Sequence, residues 1–318
     1  MIRRFILLAA IAALTACSGP AGLTPSSVDI PRIAEDFQLR DQNGRPFELY
    51  KAASAPAVVL LTQVNGDPVS RESIRALQAL RAAPAMKGVV VALLNSTAGA
   101  TREQLATEAT ATTADDLPFL LDTRQFVGET LHVSHGGEAF VIDPKRWAIV
   151  YHGPIDDRFG AKPAQTAKQT PVKDALVALT AGKPVAFASY DSGGARISFP
   201  ATDNRQAYAG ITYTKDVAPI LLDKCAVCHV GNGVAPFAMS NYTAVKPFAF
   251  MVREAVRTER MPPVGTPRRD GPFAHVLPLT DDEARILVHW AEGGGARGEG
   301  EDILATMVKP LRAPTPEK

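Results

Sequence analysis

The sequence predicts two folded units of different class, an α/β unit followed by a small all-helical unit. Up to about residue 200, short apolar runs alternate with amphipathic stretches, which is typical of a partly parallel sheet covered by helices. After about residue 209 the apolar residues recur at helical spacing. A chain of 318 residues is long enough to build two hydrophobic cores.

The charge pattern argues against one class of partner. Charged residues make up 21% of the chain, and the net charge is only +1. No run of lysine or arginine is present, and there is no acidic tail. We therefore expect no nucleic-acid partner.

The N-terminus predicts export and a membrane anchor. Arg3 and Arg4 precede Phe5–Leu14, an apolar stretch that is too short to span a bilayer comfortably. The following Leu14-Thr15-Ala16-Cys17 resembles a bacterial lipobox, which implies that residues 1–17 are a signal peptide and that Cys17 carries lipid. This places the protein on the periplasmic side of a bacterial membrane, with inner or outer membrane left open. The alternatives are an ordinary cleaved signal peptide and a twin-arginine signal.

Several elements of the α/β unit can be predicted one by one. Asn43-Gly44 lies between two short apolar segments and favours a hairpin turn. Residues 57–62 and 88–94 are continuous apolar runs, which predict strands covered on both faces of a sheet. Residues 70–83 predict an amphipathic helix with Ser70 as its N-cap. The remaining predicted elements are a helix at about 101–111, strands at 118–122, 139–143 and 148–151, and a helix at about 171–181.

Three segments carry a family resemblance. They are DFQLRDQNGRPFEL, PFLLD and EAFVIDPKRWAIVYHGPIDDRFG, all within residues 31–197. The segments are similar to the thioredoxin-like fold of the redoxin and peroxiredoxin group. The resemblance implies a thioredoxin-like domain over 31–197.

The chemistry of that group is missing. Asp67 stands where the reactive cysteine would begin a Cys-Pro pair, and Ala195 replaces a second cysteine. Gly136-Gly137 replaces the proline before the EAFVID segment. A thiolate is the nucleophile of this chemistry, and neither Asp nor Ala can replace it. We therefore expect a scaffold without its thiol; catalysis by the Asp67 carboxylate is the less favoured alternative.

The motif with the clearest chemistry is Cys225-Ala226-Val227-Cys228-His229. Two cysteines separated by two residues and followed by histidine form the attachment pattern of haem c. The sulfurs of Cys225 and Cys228 can bond the two porphyrin vinyl groups, leaving the imidazole of His229 beneath the iron. Zinc would need a second pair of ligands. The chain lacks one, since Cys17 is its only cysteine outside the motif. We predict one covalent haem c with iron.

The surroundings of the motif suggest further roles. Residues 214–229 predict an amphipathic helix that ends with the motif. The segment 231–237 resembles the turn of c-type cytochromes in which a proline carbonyl accepts the Nδ1–H of the proximal histidine. The resemblance assigns that role to Pro236, with a plain loop proline as the alternative.

The second axial ligand should be a thioether or another imidazole. Met261 is the preferred residue, because a residue before proline is held extended and Arg260-Met261-Pro262-Pro263 is therefore a stiff loop. The loop also resembles the ligand loop of cytochrome c domains found beside redoxin-like domains. The other candidates are Met239 and Met251, which we expect to be core residues, and His275 and His289, which would give a bis-histidine site.

The last helix is predicted at about 280–292. Thr280 and Glu283 form a capping box, and a run of glycines from Gly293 ends the helix. Ile286, Leu287 and Trp290 supply its apolar face. The whole of 209–300 resembles a small class I type cytochrome c domain. Residues 18–30 are predicted to be a flexible tether, 198–208 a linker and 301–318 a disordered tail.

These features predict an electron-transfer protein without catalytic residues. Iron held by His and Met on both faces has no open position, so one-electron exchange is what it can do. The partner would be a periplasmic redox protein, as electron donor or acceptor, with the thiol-free domain as a docking module. The alternatives are a haem-dependent peroxidase or other oxidoreductase, and a non-catalytic haem-bearing sensor or assembly factor.

Overall fold

The computed structural model describes residues 22–203, 205–261 and 278–308. The predicted signal peptide with Cys17, and the ligand candidate His275, lie outside these residues. Within them, no helix combines the length and the hydropathy that a membrane span requires.

The first unit is built on one mixed sheet of eight strands. In sheet order these are β2, β1, β5, β4, β3, β6, β7 and β8. The strands β3, β4 and β5 run parallel, whereas β6 is antiparallel to both of its neighbours, β3 and β7. This arrangement is consistent with the predicted thioredoxin-like domain. The strands are β1 Gln38–Asp41, β2 Pro46–Glu48, β3 Val58–Thr62, β4 Val90–Asn95, β5 Phe119–Leu121, β6 Ala139–Asp143, β7 Ala148–Gly153 and β8 Ala188–Ser189.

Helices cover the sheet: α1 Pro68–Leu80, α2 Arg102–Ala111, α3 Phe126–Leu131 and α4 Pro171–Thr180. All of β3 is buried, and its side chains alternate between two cores. Val59 and Leu61 join the core under α1, α2 and α4. Val58 and Leu60 join a second core on the opposite face. The continuous apolar run of the sequence therefore serves both faces of the sheet.

Two expectations about this unit are wrong in detail. The N-cap of α1 is Asp67, whose carboxylate accepts a hydrogen bond from the amide of Ser70, because Pro68 begins the helix two residues earlier than predicted. Part of the predicted tether, residues 22–30, is packed on the domain. The amide of Ser26 donates to the carbonyl of Ser189, and Ile30 lies in a core with only 4% exposure.

The residues that the structure describes beyond 205 form helices and the loops that connect them, with no strand among them. Its helices are α6 Ala218–Lys224, α7 Tyr242–Val245, α8 Ala249–Arg257, α9 Asp281–Glu292 and α10 Ile303–Met307, preceded by the short α5 Pro200–Asp203. The capping box of Thr280 and Glu283 is confirmed, and Trp290 is buried as predicted. Part of the predicted disordered tail is wrong, since α10 buries Leu304 completely.

The two units share an interface. Phe126 at the start of α3 lies in the core of the helical unit, together with residues such as Tyr213 and Trp290. Arg285 of α9 covers the ring of Phe126 at 5.0 Å and pairs with Glu129. The helical unit is therefore held against the sheet domain by a buried aromatic anchor and a charged pair.

Candidate functional site

The two motif cysteines and the histidine follow α6 on a tight turn. The sequence predicted that the helix would continue to His229, but α6 ends at Lys224. The amides of Cys228 and His229 then both donate to the carbonyl of Cys225, at 3.1 and 2.9 Å. This turn brings the three side chains to the wall of one cavity, of about 390 Å³.

One ring nitrogen of His229 is fixed by the backbone. Its Nδ1 lies 3.0 Å from the carbonyl oxygen of Phe237. The assignment to Pro236 is therefore wrong by one residue, because the turn after the motif presents the next carbonyl to the imidazole. A carbonyl can only accept, so Nδ1 is the donor of this contact, and Nε2 is the ring nitrogen left available to a metal. The ring of Phe237 also packs on the imidazole, with centroids 4.7 Å apart.

The turn has no room for a side chain at Gly233. A β-carbon there would lie 2.4 Å from the carbonyl oxygen of Cys228 and 2.8 Å from that of Val230. The amide of Met239 closes the loop by donating to the carbonyl of His229 at 2.7 Å. The backbone around the motif is therefore tightly specified.

Both motif cysteines have raised pKa values. Burial, followed by the nearby Cys228 thiol and Glu283 carboxylate, raises the pKa of Cys225 to about 12. Burial also raises the pKa of Cys228. The folded chain without a cofactor therefore holds both groups as neutral thiols at neutral pH.

The cavity wall is largely apolar and contains three methionines. Met261, the predicted second axial ligand, lies on this wall and is 45% exposed. Met239 is a core residue, but the same expectation for Met251 is wrong, since this side chain is 57% exposed on the cavity rim. The remaining wall residues are Lys224, Val234, Ala235, Pro236, Phe237, Val252, Ala255, Val256, Arg260, Leu279 and Leu287.

His289 does not line this cavity. Its ring stacks on Tyr208 at 4.8 Å, and both residues line a second cavity, of about 770 Å³, at the junction of the two units. His289, a candidate for the second axial ligand, therefore lies on a different cavity from the motif.

In the sheet domain, Asp67, which was predicted to stand in place of a reactive cysteine, is a helix cap. The Asp67 carboxylate accepts from the amide of Ser70 at 2.8 Å and from its hydroxyl at 2.7 Å. Gly136 and Gly194 approach closely, and a β-carbon on either would lie 3.1 Å from the same carboxylate oxygen. The Asp67 carboxylate thus has two local donors and little free space.

The sheet domain also contains a buried charged group. Glu138 is 1% exposed and accepts from the amides of Ser134 and His135, while the Nε2 of His152 lies 3.6 Å from it. Burial alone would raise the pKa of Glu138, but the neighbouring imidazoles of His135 and His152 and the hydroxyl of Ser134, which donates to the carboxylate, together lower it to about 2. The cluster therefore keeps one carboxylate ionised inside the domain.

Among the residues that the structure describes, no cluster of three or more His, Cys, Asp or Glu side chains could hold a metal ion. The residues that gather around the motif are instead one imidazole, two sulfurs of cysteine and thioethers.

Comparisons with known proteins give structural likeness alone. No protein family matches the chain, and no curated protein is significantly similar to it. The structure resembles a hypothetical protein of Sinorhizobium meliloti, with 24% identity and a TM-score of 0.44 over 55% of this chain and 97% of that one. It also resembles an uncharacterized conserved protein of Geobacillus kaustophilus, with 22% identity and a TM-score of 0.45 over 57% and 97%.

A third similar structure is a peroxidoxin of Mycobacterium tuberculosis, with 20% identity and a TM-score of 0.37 over 49% of this chain and 98% of that one. At such identities and scores, the likeness carries no inference about activity.

Proposed function

We propose that this chain is an exported, lipid-anchored c-type cytochrome that exchanges single electrons with periplasmic redox proteins. Cys225 and Cys228 would hold one haem covalently, with His229 and Met261 as axial ligands. The observation that carries the proposal is the shared cavity: the motif turn places both sulfurs and the imidazole on the wall of one apolar space that also reaches Met261.

The residues present fit this group. The cavity volume of about 390 Å³ lies within the range of roughly 300–1,000 Å³ that is usual for cofactor pockets. The Phe237 carbonyl orients His229 so that Nε2 is the nitrogen available to iron. Bound there, haem would supply one-electron exchange, and a His/Met pair would favour a higher potential than a bis-histidine pair.

The rim of the cavity supports contact with a redox partner. Val234, Met251 and Met261 all line the cavity and are 45–64% exposed. Apolar side chains grouped at a pocket mouth are typical of sites that meet another molecule. The proposed role therefore needs no active-site thiol in the sheet domain.

Haem attachment can be tested directly. Protein matured with haem-attachment machinery should give one haem per chain in a pyridine haemochrome assay, and a mass increase of one haem. Cys225→Ala combined with Cys228→Ala should abolish the mass increase, whereas Cys17→Ala should retain it. A colourless wild-type protein with free, bridged or zinc-bound sulfurs would contradict the proposal.

The axial ligand can be tested with two methionine variants. Met261→Leu should remove the Met–iron charge-transfer band and lower the reduction potential, with haem still attached. Met251→Leu is the matched control, because the Met251 side chain also lines the cavity. This variant should leave the charge-transfer band and the reduction potential unchanged. The reverse result would make Met251 the ligand, and rapid peroxide consumption by the wild type would favour the haem peroxidase alternative.

The anchor is tested by fractionation. Several acyl chains on Cys17 would hold the protein on the membrane, since one chain alone binds only marginally. The wild type should be found in the membrane fraction, and Cys17→Ala in the soluble periplasmic fraction. A soluble wild-type protein with an unmodified N-terminus would exclude the anchor.

A further inference from the structure

Three arginines at the end of α8 pair with acidic residues of the sheet domain. The guanidinium groups of Arg253 and Arg257 both approach Glu35, at 3.6 and 2.5 Å. Arg260, just after the helix, contacts Asp36 at 3.0 Å and Glu48 at 2.9 Å. Thus one face of the α8 region meets the sheet domain, while Val252 and other α8 residues line the cavity.

The Arg260 contact is better defined than a single surface ion pair. Arg260 is 45% exposed, but Asp36 and Glu48 are only 18% and 21% exposed. The Asp36 carboxylate is itself fixed, because it accepts a hydrogen bond from the amide of Tyr50 at 3.0 Å. An arginine shared by two partly shielded carboxylates restricts its backbone more than an isolated exposed pair would.

Arg260 directly precedes Met261. After α8 the chain reverses at Glu259, whose φ is +53°, and the amides of Arg260 and Met261 then both donate to the carbonyl of Ala255. Ala255 lines the cavity, so the backbone of Met261 is held close to the cavity wall. The side chain of Arg260 links this turn to the sheet domain, beside the contacts of Arg253 and Arg257 with Glu35.

We propose that Arg260 is a positioning residue, and that Asp36 and Glu48 of the sheet domain hold Met261 at the haem through it. The inference rests on the proposed function. It gives the thiol-free domain a role in ligation, because the domain would then determine how firmly the thioether of Met261 is held for binding to the haem iron. The nearby thioether of Met251, exposed on the same rim, is a competitor that this contact disfavours.

The test compares Asp36→Asn with Glu48→Gln, made together, against the wild-type holoprotein. We expect loss of the Met–iron charge-transfer band and a lower potential, because Met ligation raises it. Electrostatics alone predicts the opposite sign, since removing two negative charges near the iron disfavours the ferric form and raises the potential. An intact band with an unchanged or raised potential would overturn the inference.

Two further variants keep the test independent of folding. Arg260→Gln should reproduce the loss of the band, and Arg260→Lys should restore part of it. Lys51→Gln is the matched control, since Lys51 pairs with Glu48 at 3.4 Å without contacting the ligand segment, and it should change nothing. If the double variant folds poorly, hydrogen exchange of residues 253–261 in Arg260→Gln gives a second measurement, and exchange equal to the wild type would overturn the inference.

A wild-type protein without covalent haem, or without a Met–iron band, would overturn both the proposed function and the positioning role of Arg260. A normal wild-type spectrum that persists in every Arg260, Asp36 and Glu48 variant would overturn the positioning role alone.

Discussion

Arg285 and Glu129 form a two-pronged ion pair across the interface of the two units. Nη1 and Nη2 of Arg285 lie 3.2 and 3.0 Å from the two carboxylate oxygens of Glu129. Nη2 also donates to the carbonyl of Arg124 at 2.6 Å, and Arg285 is only 5% exposed. A desolvated arginine with these partners ties α9 to α3.

Arg285→Met should destabilise the protein by about 3 kcal/mol, because it leaves Glu129 unpaired in a mostly buried position. Combining it with Glu129→Leu should recover much of the loss, since an apolar pair can replace a buried ion pair at little cost. Urea unfolding of the single and double variants measures both effects. Additive losses in the double variant would show that the pair is not coupled.

Gly233→Ala should damage the motif turn. Its β-carbon would meet the backbone carbonyls of Cys228 and Val230, which cannot move aside like a flexible side chain. We expect a loss of about 1–3 kcal/mol and reduced haem incorporation. Gly182→Ala is the control, because nothing lies within 4 Å of its new β-carbon and only backbone strain at φ +67° is added. Equal haem content in the two variants would contradict this account.

Substitutions of Asp67 distinguish its role as a helix N-cap from a role in catalysis. Asp67→Ala should cost about 1 kcal/mol through loss of the N-cap, whereas Asp67→Asn should cost little, since asparagine caps equally well. Neither should change electron exchange. Unfolding and electron-transfer rates measured on both variants check this, and loss of a redox activity in Asp67→Asn with unchanged stability would revive the carboxylate hypothesis.

The buried Asp122 should make stability depend on pH. Burial, partly offset by hydrogen bonds from Gly128, Ser96 and Val127, raises its pKa from 3.8 to about 6. Because the folded state favours the protonated form, the stabilisation is full below about pH 4 and is lost as the pH rises through 6. The loss amounts to about 3 kcal/mol, from about 1.4 kcal/mol for each unit of pKa shift.

Asp122→Asn cannot titrate, so the experiment follows the difference in unfolding free energy between wild type and variant. The unfolding free energy of the wild type minus that of Asp122→Asn should fall as the pH rises from about 4 through about 6, and it should stay constant at higher pH. A difference that is constant over this range would show that the Asp122 carboxylate is ionised in the folded protein without penalty.

Much of the secondary structure could be predicted, because local patterns specify it. The hairpin at Asn43-Gly44 is confirmed, since Gly44 takes a positive φ of +76° there. The capping box at Thr280 fixed the start of α9. The packing of residues 22–30 on the sheet domain was missed, because a Ser- and Pro-rich composition does not show that a sheet edge lies nearby to pair with the segment.

The site was predicted less completely. The spacing of the motif predicted Cys225, Cys228 and His229 as site residues, and these three share a cavity in the structure. Phe237 was missed because a backbone acceptor has no side-chain signature, and only the shape of the turn shows which carbonyl faces the ring. Met251 was taken for a core residue because its exposure depends on which face of α8 meets the cavity.

The sequence by itself determined the chemistry that the chain can hold. Two sulfurs, an imidazole and the spacing between them are covalent facts, and so is the carboxylate at position 67. The tertiary structure alone decided how the two units meet. Contacts such as Arg260 with Asp36 join residues more than 200 positions apart, and no local pattern encodes a pairing that exists only once both units have folded.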